Sequence, residues 1–190
     1  MIIVSQNALK YEIGFPDDCV FRINLAWCDS LDELNKILEK HKDKKIFLDL
    51  PVGRIKPPNN KYGMDELEKI LKLNPQIEFF AISNVESGDE IEKLKKSIPK
   101  STNIVPKIES PTGIDNIDEI VSVLDASKKY VMLDHDDLFS KIIKSGENPE
   151  KFPIYIKKLV DFCESKDIFL LRTVGVIFSD NENRTTQYIK

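Results

Sequence analysis

No apolar run in this chain approaches the roughly 20 residues that a membrane-spanning helix needs. The amino terminus, MIIVSQNALKYE, lacks the charged, apolar and cleavage regions of a signal peptide. Both absences lead us to expect a cytoplasmic protein with no membrane partner. Cysteine is scarce. Cys19, Cys28 and Cys163 are odd in number, widely spaced and without a CxxC pair, which fits structural thiols in a reducing compartment better than a disulfide framework or a zinc site. No basic stripe is present, because 28 basic and 32 acidic residues are interspersed to a net charge of -4, so nucleic acid is not an expected partner. Neither GxGxxG nor GxxxxGK[ST] follows the first apolar run, which argues against dinucleotide-binding and P-loop sheets.

The 190 residues, 41% hydrophobic and 32% charged, suffice for one globular domain with a sizeable core. Short runs rich in β-branched or aromatic residues recur, each followed by a stretch with helical spacing, the signature of repeated β-α units. Seven strands are predicted, over Ile2–Ser5, Val20–Asn24, Ile46–Leu50, Ile77–Ser83, Asn103–Ile108, Tyr130–Leu133 and Ile168–Arg172. Several are apolar until their last residues, as parallel strands covered on both faces should be. Helix starts are marked by capping-box spacing at Ser30 with Glu33 and at Ser87 with Glu90. Apolar stripes follow at Leu31, Leu34, Ile37 and Leu38, at Met64, Leu67, Ile70 and Leu71, and at Ile114, Ile117, Ile120, Val121 and Leu124. Such alternation leaves an open doubly wound sheet and a closed barrel as the two architectures.

Ligands of parallel α/β folds gather at the carboxyl ends of the strands, and polar residues end nearly every run. Arg22 and Asn24 end the second, Asp49 the third and Ser83 the fourth. Lys107 and Glu109 close the fifth, two apart and so on one face; Asp134 to Asp137 close the sixth, and Arg172 and Thr173 the seventh. Two carboxylates with ligand oxygens and waters suit magnesium or manganese, both hard ions, and a nearby lysine can stabilise an enolate or donate a proton. Solvated strand ends would show the same charges. Asp136 and Asp137 would equally serve as caps of a helix starting near Leu138.

The order and spacing of these segments, from about Ile2 to about Thr173, resemble the barrel domain of pyruvate kinase. The most specific stretch is IVPKIESPTGIDNIDEI, which is similar to the family segment carrying a catalytic lysine, a metal-binding glutamate two residues on, then a glycine, an asparagine and a helix. By that resemblance Lys107 is the lysine and Glu109 the glutamate. FRINLAW supplies a substrate-binding arginine at Arg22 and a monovalent-cation asparagine at Asn24; FLDLPVGRIK supplies the partner aspartate at Asp49 and a basic residue at Lys56. AISNVES puts Ser83 in the fourth-strand motif, VMLDHDDL puts Asp137 at the second metal carboxylate, and LLRTVG puts Thr173 at the active-site threonine. The resemblance implies a (β/α) TIM-type barrel spanning 1–190 as a single domain, shortened to seven clear strands.

Departures from the family are specific. Ala26 replaces a serine of the cation site, which puts potassium dependence in doubt. His135 and Asp136 stand where arginine and glycine precede the metal aspartate, Val174 stands where glutamine follows the threonine, and only about a dozen loop residues replace the lid domain after the third strand. No eighth strand is evident in the polar tail SDNENRTTQYIK, so Val174 to Phe178, or a second copy in a homo-oligomer, would have to close the barrel. The resemblance implies phosphoenolpyruvate, pyruvate or a related oxo acid as the small-molecule partner, with Mg2+ or Mn2+ as cofactor. Kinase-like transfer, carbon-carbon lyase or aldolase chemistry on pyruvate enolate, and a non-catalytic binding module remain the alternatives.

Overall fold

The computed structural model describes residues 3–5, 18–53 and 60–172. Seven strands alternate with helices: β1 (Ile3–Ser5), β2 (Val20–Asn24), α1 (Leu31–Lys40), β3 (Lys45–Leu50), α2 (Met64–Leu73), β4 (Ile77–Ile82), α3 (Gly88–Lys95) and β5 (Asn103–Ile108). Then come α4 (Pro111–Asp115), α5 (Ile117–Ser122), β6 (Tyr130–Leu133), α6 (His135–Lys144), α7 (Phe152–Ser165) and β7 (Phe169–Arg172). All seven predicted strands are found, and they pair in parallel in sequence order from β1 to β7.

That order decides the shape. Parallel crossovers are right-handed, so strands added always on the same side send every connecting helix to one face of the sheet. Among the described residues the other face has no helical layer and buries its side chains by curling over them. Two separate cores result. The larger joins Phe21, Ile23, Ile46, Leu48, Phe80, Ile82, Ile108, Val131 and Leu133 of the strands to the helical stripes. The smaller holds the alternate residues Val20, Phe47, Phe79, Ala81, Val105 and Met132, flanked by Ile3, Tyr130 and Leu171. Aromatic rings run across this inner face, with centroids 6.0 Å apart for Phe47 and Phe79, 5.1 Å for Phe79 and Tyr130, and 5.2 Å for Tyr130 and Phe169. The sheet is thus curled, with β1 and β7 as its outermost strands among the described residues.

Local details depart from the expected pattern in three places. At α1, Ser30 does cap, its Oγ accepting from the Glu33 N–H at 3.1 Å, but Glu33 reaches back to the Asp29 N–H rather than to Ser30. At α3, Ser87 makes no side-chain cap, and Glu90 instead accepts from the Glu86 N–H at 3.3 Å. The stripe from Ile114 to Leu124 runs over two short helices and the turn after them rather than one helix. Asn116 interrupts it and donates from Nδ2 to the Glu86 carbonyl at 2.7 Å. The three cysteines are buried free thiols, and burial pushes the Cys163 thiol up to about 11. Among the described residues no helix is long and apolar enough to cross a membrane.

The loop from Ser83 to Ser87 is pinned onto the next β-α unit. The Val85 N–H donates to the Lys107 carbonyl at 3.2 Å, and the Gly88 N–H to Glu119 Oε1 at 2.9 Å. Gly113 lets the chain pass close beneath this loop, since a Cβ there would lie 2.6 Å from the Val85 carbonyl oxygen. Gly113→Ala should therefore destabilise the protein by about 1–3 kcal/mol in urea unfolding, as overpacking against backbone does. Gly63→Ala, where the nearest atom is a side-chain oxygen at 3.8 Å, should stay within about 1 kcal/mol.

Candidate active site at the carboxyl ends of the strands

Side chains two apart on a strand share a face, so the inner-face residues continue upward from the apolar floor into a ring of polar groups. Above Val20 stands Arg22, above Phe47 stands Asp49, and above Ala81 stands Ser83. Lys107 and then Glu109 stand above Val105, and Asp134 above Met132. The floor supplies a low-dielectric base for charges that the sequence could place only at strand ends.

Register brings these residues together laterally. Asn24 is level with Asp49, and Lys107 with Met132. β5 and β6 pair only at Lys107 with Met132 and at Ile108 with Leu133, and Pro106, just before, has no N–H to extend that ladder. Asp49, 1% exposed as a side chain, accepts from Arg22 through both Nε, at 3.0 Å, and Nη2. The Lys107 ammonium lies 3.6 Å from Asp49 Oδ2 and 2.8 Å from Glu109 Oε1, and donates to Ser83 Oγ at 3.0 Å. Glu109 Oε2 accepts the Asn84 N–H at 2.9 Å. Asn84 has a φ of 55°, a left-handed conformation that asparagine tolerates, and its Nδ2 donates to the Val52 carbonyl at 2.6 Å.

Two positive and two negative charges are thus interleaved in a nearly dry site. Burial opposes the Lys107 ammonium, but Asp49 and Glu109 outweigh it and raise its pKa, so it stays charged. Glu109 is also pushed up, by burial first; Lys107 pulls it down, while Asp134 and Asp137 push it up further. An isolated ion pair would move the two partners in opposite directions. The upward shift of both reflects a carboxylate that is desolvated and faces two more acids.

Those acids form a second feature. Ligand oxygens of Glu109, Asp134 and Asp137 all lie within 4.8 Å of one another, with Glu109 buried, Asp134 half-buried and Asp137 exposed. Glu109 Oε1 has the Lys107 ion pair but accepts no hydrogen bond, and Asp49 Oδ1 is buried without a hydrogen-bond partner. The cap of α6 is Asp134, whose Oδ1 accepts the Asp137 N–H at 3.3 Å; the helix starts at His135, three residues before the expected Leu138. His135 is buried, and Arg172 Nη2 lies 3.1 Å from its Nε2. Arginine can only donate, so Nε2 accepts and the ring proton sits on Nδ1. Burial, then Arg172, lower the His135 pKa and keep the ring neutral.

Of the sequence-predicted residues, Arg22, Asp49, Ser83, Lys107 and Glu109 meet in one network, and Asp137 joins Glu109 through the carboxylate group. Asn24 lies beside Asp49, but its Oδ1 accepts the Ala26 N–H at 2.9 Å and caps the turn Leu25–Trp27. Thr173 and Lys56 lie outside the described residues. Asp134 and Asn84 are members that motif matching did not single out. Strand parity was the signal available for Asp134, which stands two residues above Met132 on the inner face.

No family model matches the chain. Over 91 residues, 46% of the chain, it is 31% identical to a pyruvate kinase of Sporosarcina psychrophila, and the matched part spans 14% of that protein's length. The match supports a distant relation to pyruvate kinase. Among solved structures, RipC from Yersinia pestis has a similar fold, with a TM-score of 0.60 over 85% of this chain and 72% of that one at 16% identity.

Removing Lys107 should be costly, because breaking a buried pair strands its partners. Lys107→Met should lose about 3–5 kcal/mol in urea unfolding at neutral pH. The loss should shrink as pH falls through the raised pKa of Glu109, where proton uptake relieves the stranded carboxylate; a pH-independent loss would contradict the charge account.

Proposed function

We propose that this chain is a divergent, lidless pyruvate kinase-like barrel protein that binds phosphoenolpyruvate, pyruvate or a related oxo acid through Mg2+ or Mn2+. The observation that carries the reading is the convergence of Lys107 and Glu109 with Arg22, Asp49 and Ser83 at the strand ends, beside a carboxylate trio. The distant relation to pyruvate kinase supports the choice of ligand. On this reading the curled sheet is the greater part of a (β/α) barrel.

The donor set fits the ion. Three carboxylates offer hard oxygen ligands, and a cation beside Glu109 would offset the repulsion that Asp134 and Asp137 impose on it. Glu109 and Asp137 would hold it, with Asp134 in reach. When bound, the metal supplies a Lewis acid for an oxo-acid oxygen and its enolate. Lys107, locked as an ammonium by Asp49 and Glu109, holds a proton and a positive charge toward an oxyanion at the same mouth. Arg22, 20% exposed, keeps part of its guanidinium toward solvent and suits a phosphate or carboxylate. Ser83 fixes the Lys107 ammonium from the β4 side, and Thr173, next after β7, would assist protonation.

The Asp134 carboxylate already occupies the N-terminus of α6, and Asp136 adds a negative charge in the first turn. Direct anion binding by those amides is therefore disfavoured, and the oxo acid is held through the metal and Arg22. Residues 51–63 alone join β3 to α2, in place of a lid. Phosphoryl transfer depends on positioning and water exclusion, so this short connection favours a second reading, lyase or aldol chemistry on the pyruvate enolate.

Two measurements test the proposal. Mn2+ binding, followed by electron paramagnetic resonance, should weaken at least about tenfold in Glu109→Gln and in Asp137→Asn, and unchanged binding in both would sink the metal assignment. Pyruvate methyl protons should exchange with deuterated water in a metal-dependent reaction. Exchange without nucleotide selects enolate chemistry, and exchange only with nucleotide selects the kinase-like branch.

A further inference from the structure

A cavity of about 820 Å³ lies at the opposite, amino-terminal end of the sheet, among the segments that lead into β5 and β6. That volume is within the range of small-molecule sites, roughly 300–1,000 Å³. Ile98 and Leu124, both buried, and Ile104 form its apolar floor. Its rim carries Lys72, Lys95, Lys96, Lys100 and Lys129 against only two acids, Glu92 and Asp125. Lys72 is paired with Glu68 just outside the rim, so five positive charges less three acids leave a local excess of two, in a chain whose net charge is -4.

The hydrogen bonds sort these lysines into two groups. Lys95 takes both acids, at 3.2 Å from Glu92 and 2.7 Å from Asp125, and also donates to the Val123 carbonyl at 2.8 Å. Lys129 donates to the Val121 carbonyl at 2.8 Å. These two cover the carbonyl end of α5, whose partial negative charge would otherwise repel an anion. With Lys95 on both wall acids and Lys72 on Glu68, no acid of the cavity wall is left for the others. Lys96 and Lys100 have no ion-pair partner among the described residues.

We infer that this cavity is a second ligand site, for an organic anion with an apolar body: a carboxylate or phosphate monoester on an aliphatic or aromatic group. The apolar part lies on Ile98, Ile104 and Leu124, and the charged head faces Lys96 and Lys100. The site is separate from the strand-end carboxylates and needs no metal, so it stands or falls independently of the oxo-acid reading.

Octanoate and phenyl phosphate, titrated into the full chain and followed by backbone amide shifts, test it and tell the two head groups apart. At least one should saturate, with the largest shifts at Ile98, Ile104 and Leu124. Phenol and inorganic phosphate alone should each bind at least about tenfold more weakly, since neither unites the two features. The double charge reversal Lys96→Glu, Lys100→Glu alters exposed rim positions and should weaken binding by at least about tenfold. Absence of saturable shifts with both anions would overturn the inference, as would an affinity within about twofold of the original after the charge reversal.

Discussion

Lys107 is a full positive charge at 5% side-chain exposure, and the upper half of the inner face is organised around keeping it there. Desolvating an ammonium costs several kcal/mol, and only close, well-oriented carboxylates offset it. Asp49 supplies one from β3, two strands away, and Glu109 the other from just past the end of β5. Each then requires its own support: Arg22 on Asp49, and the Asn84 N–H on Glu109. Asn84 in turn needs a left-handed backbone and a fixed loop. That loop is held by the Lys107 carbonyl, by Asn116, and by the passage that Gly113 leaves open. The glycine and asparagine of PTGIDN thus read as supports for the loop that holds Glu109.

Much of this was legible in sequence because a parallel strand announces both its span and its facing. Short runs rich in β-branched and aromatic residues, most of them ending in polar ones, located all seven strands, and the spacing of Lys107 and Glu109 placed them on one face. Less legible were features set by tertiary register. Asn116 has ordinary helical surroundings in sequence, and only its reach to the Glu86 carbonyl explains why α4 and α5 are separate. Asp134 looked like one of a run of acids; the curl of the sheet and the start of α6 decide that it, and not Asp136, faces Glu109. The capping-box spacing at Ser87 and Glu90 was real, yet Glu90 satisfies Glu86 instead because the loop above is already pinned.

The two ends of the sheet treat charge differently for a physical reason. At the carboxyl end the strands deliver side chains onto an apolar floor that curls closed, so Asp49, Lys107 and Glu109 are buried and paired there. At the amino end the loops are open, and lysines cover helix carbonyls or stand in solvent. A charge at the first end is costly to move and fixes geometry, whereas one at the second is cheap to reverse and acts through its field.

Self-neutralisation has a consequence for how the strand-end site could take a ligand. Arg22 and Lys107 already face Asp49 and Glu109, so an incoming anion competes with built-in carboxylates for the same donors. A cation drawn to Glu109, Asp134 and Asp137 would shift that balance, because it would engage the carboxylate that now holds Lys107 and leave the ammonium's field less cancelled. Cation and anion binding would then favour each other, by a coupling that must be equal in both directions. Asp49 sets the limit of that effect: with Oδ2 on Arg22 and near Lys107, it keeps the ammonium in place whether or not Glu109 is engaged.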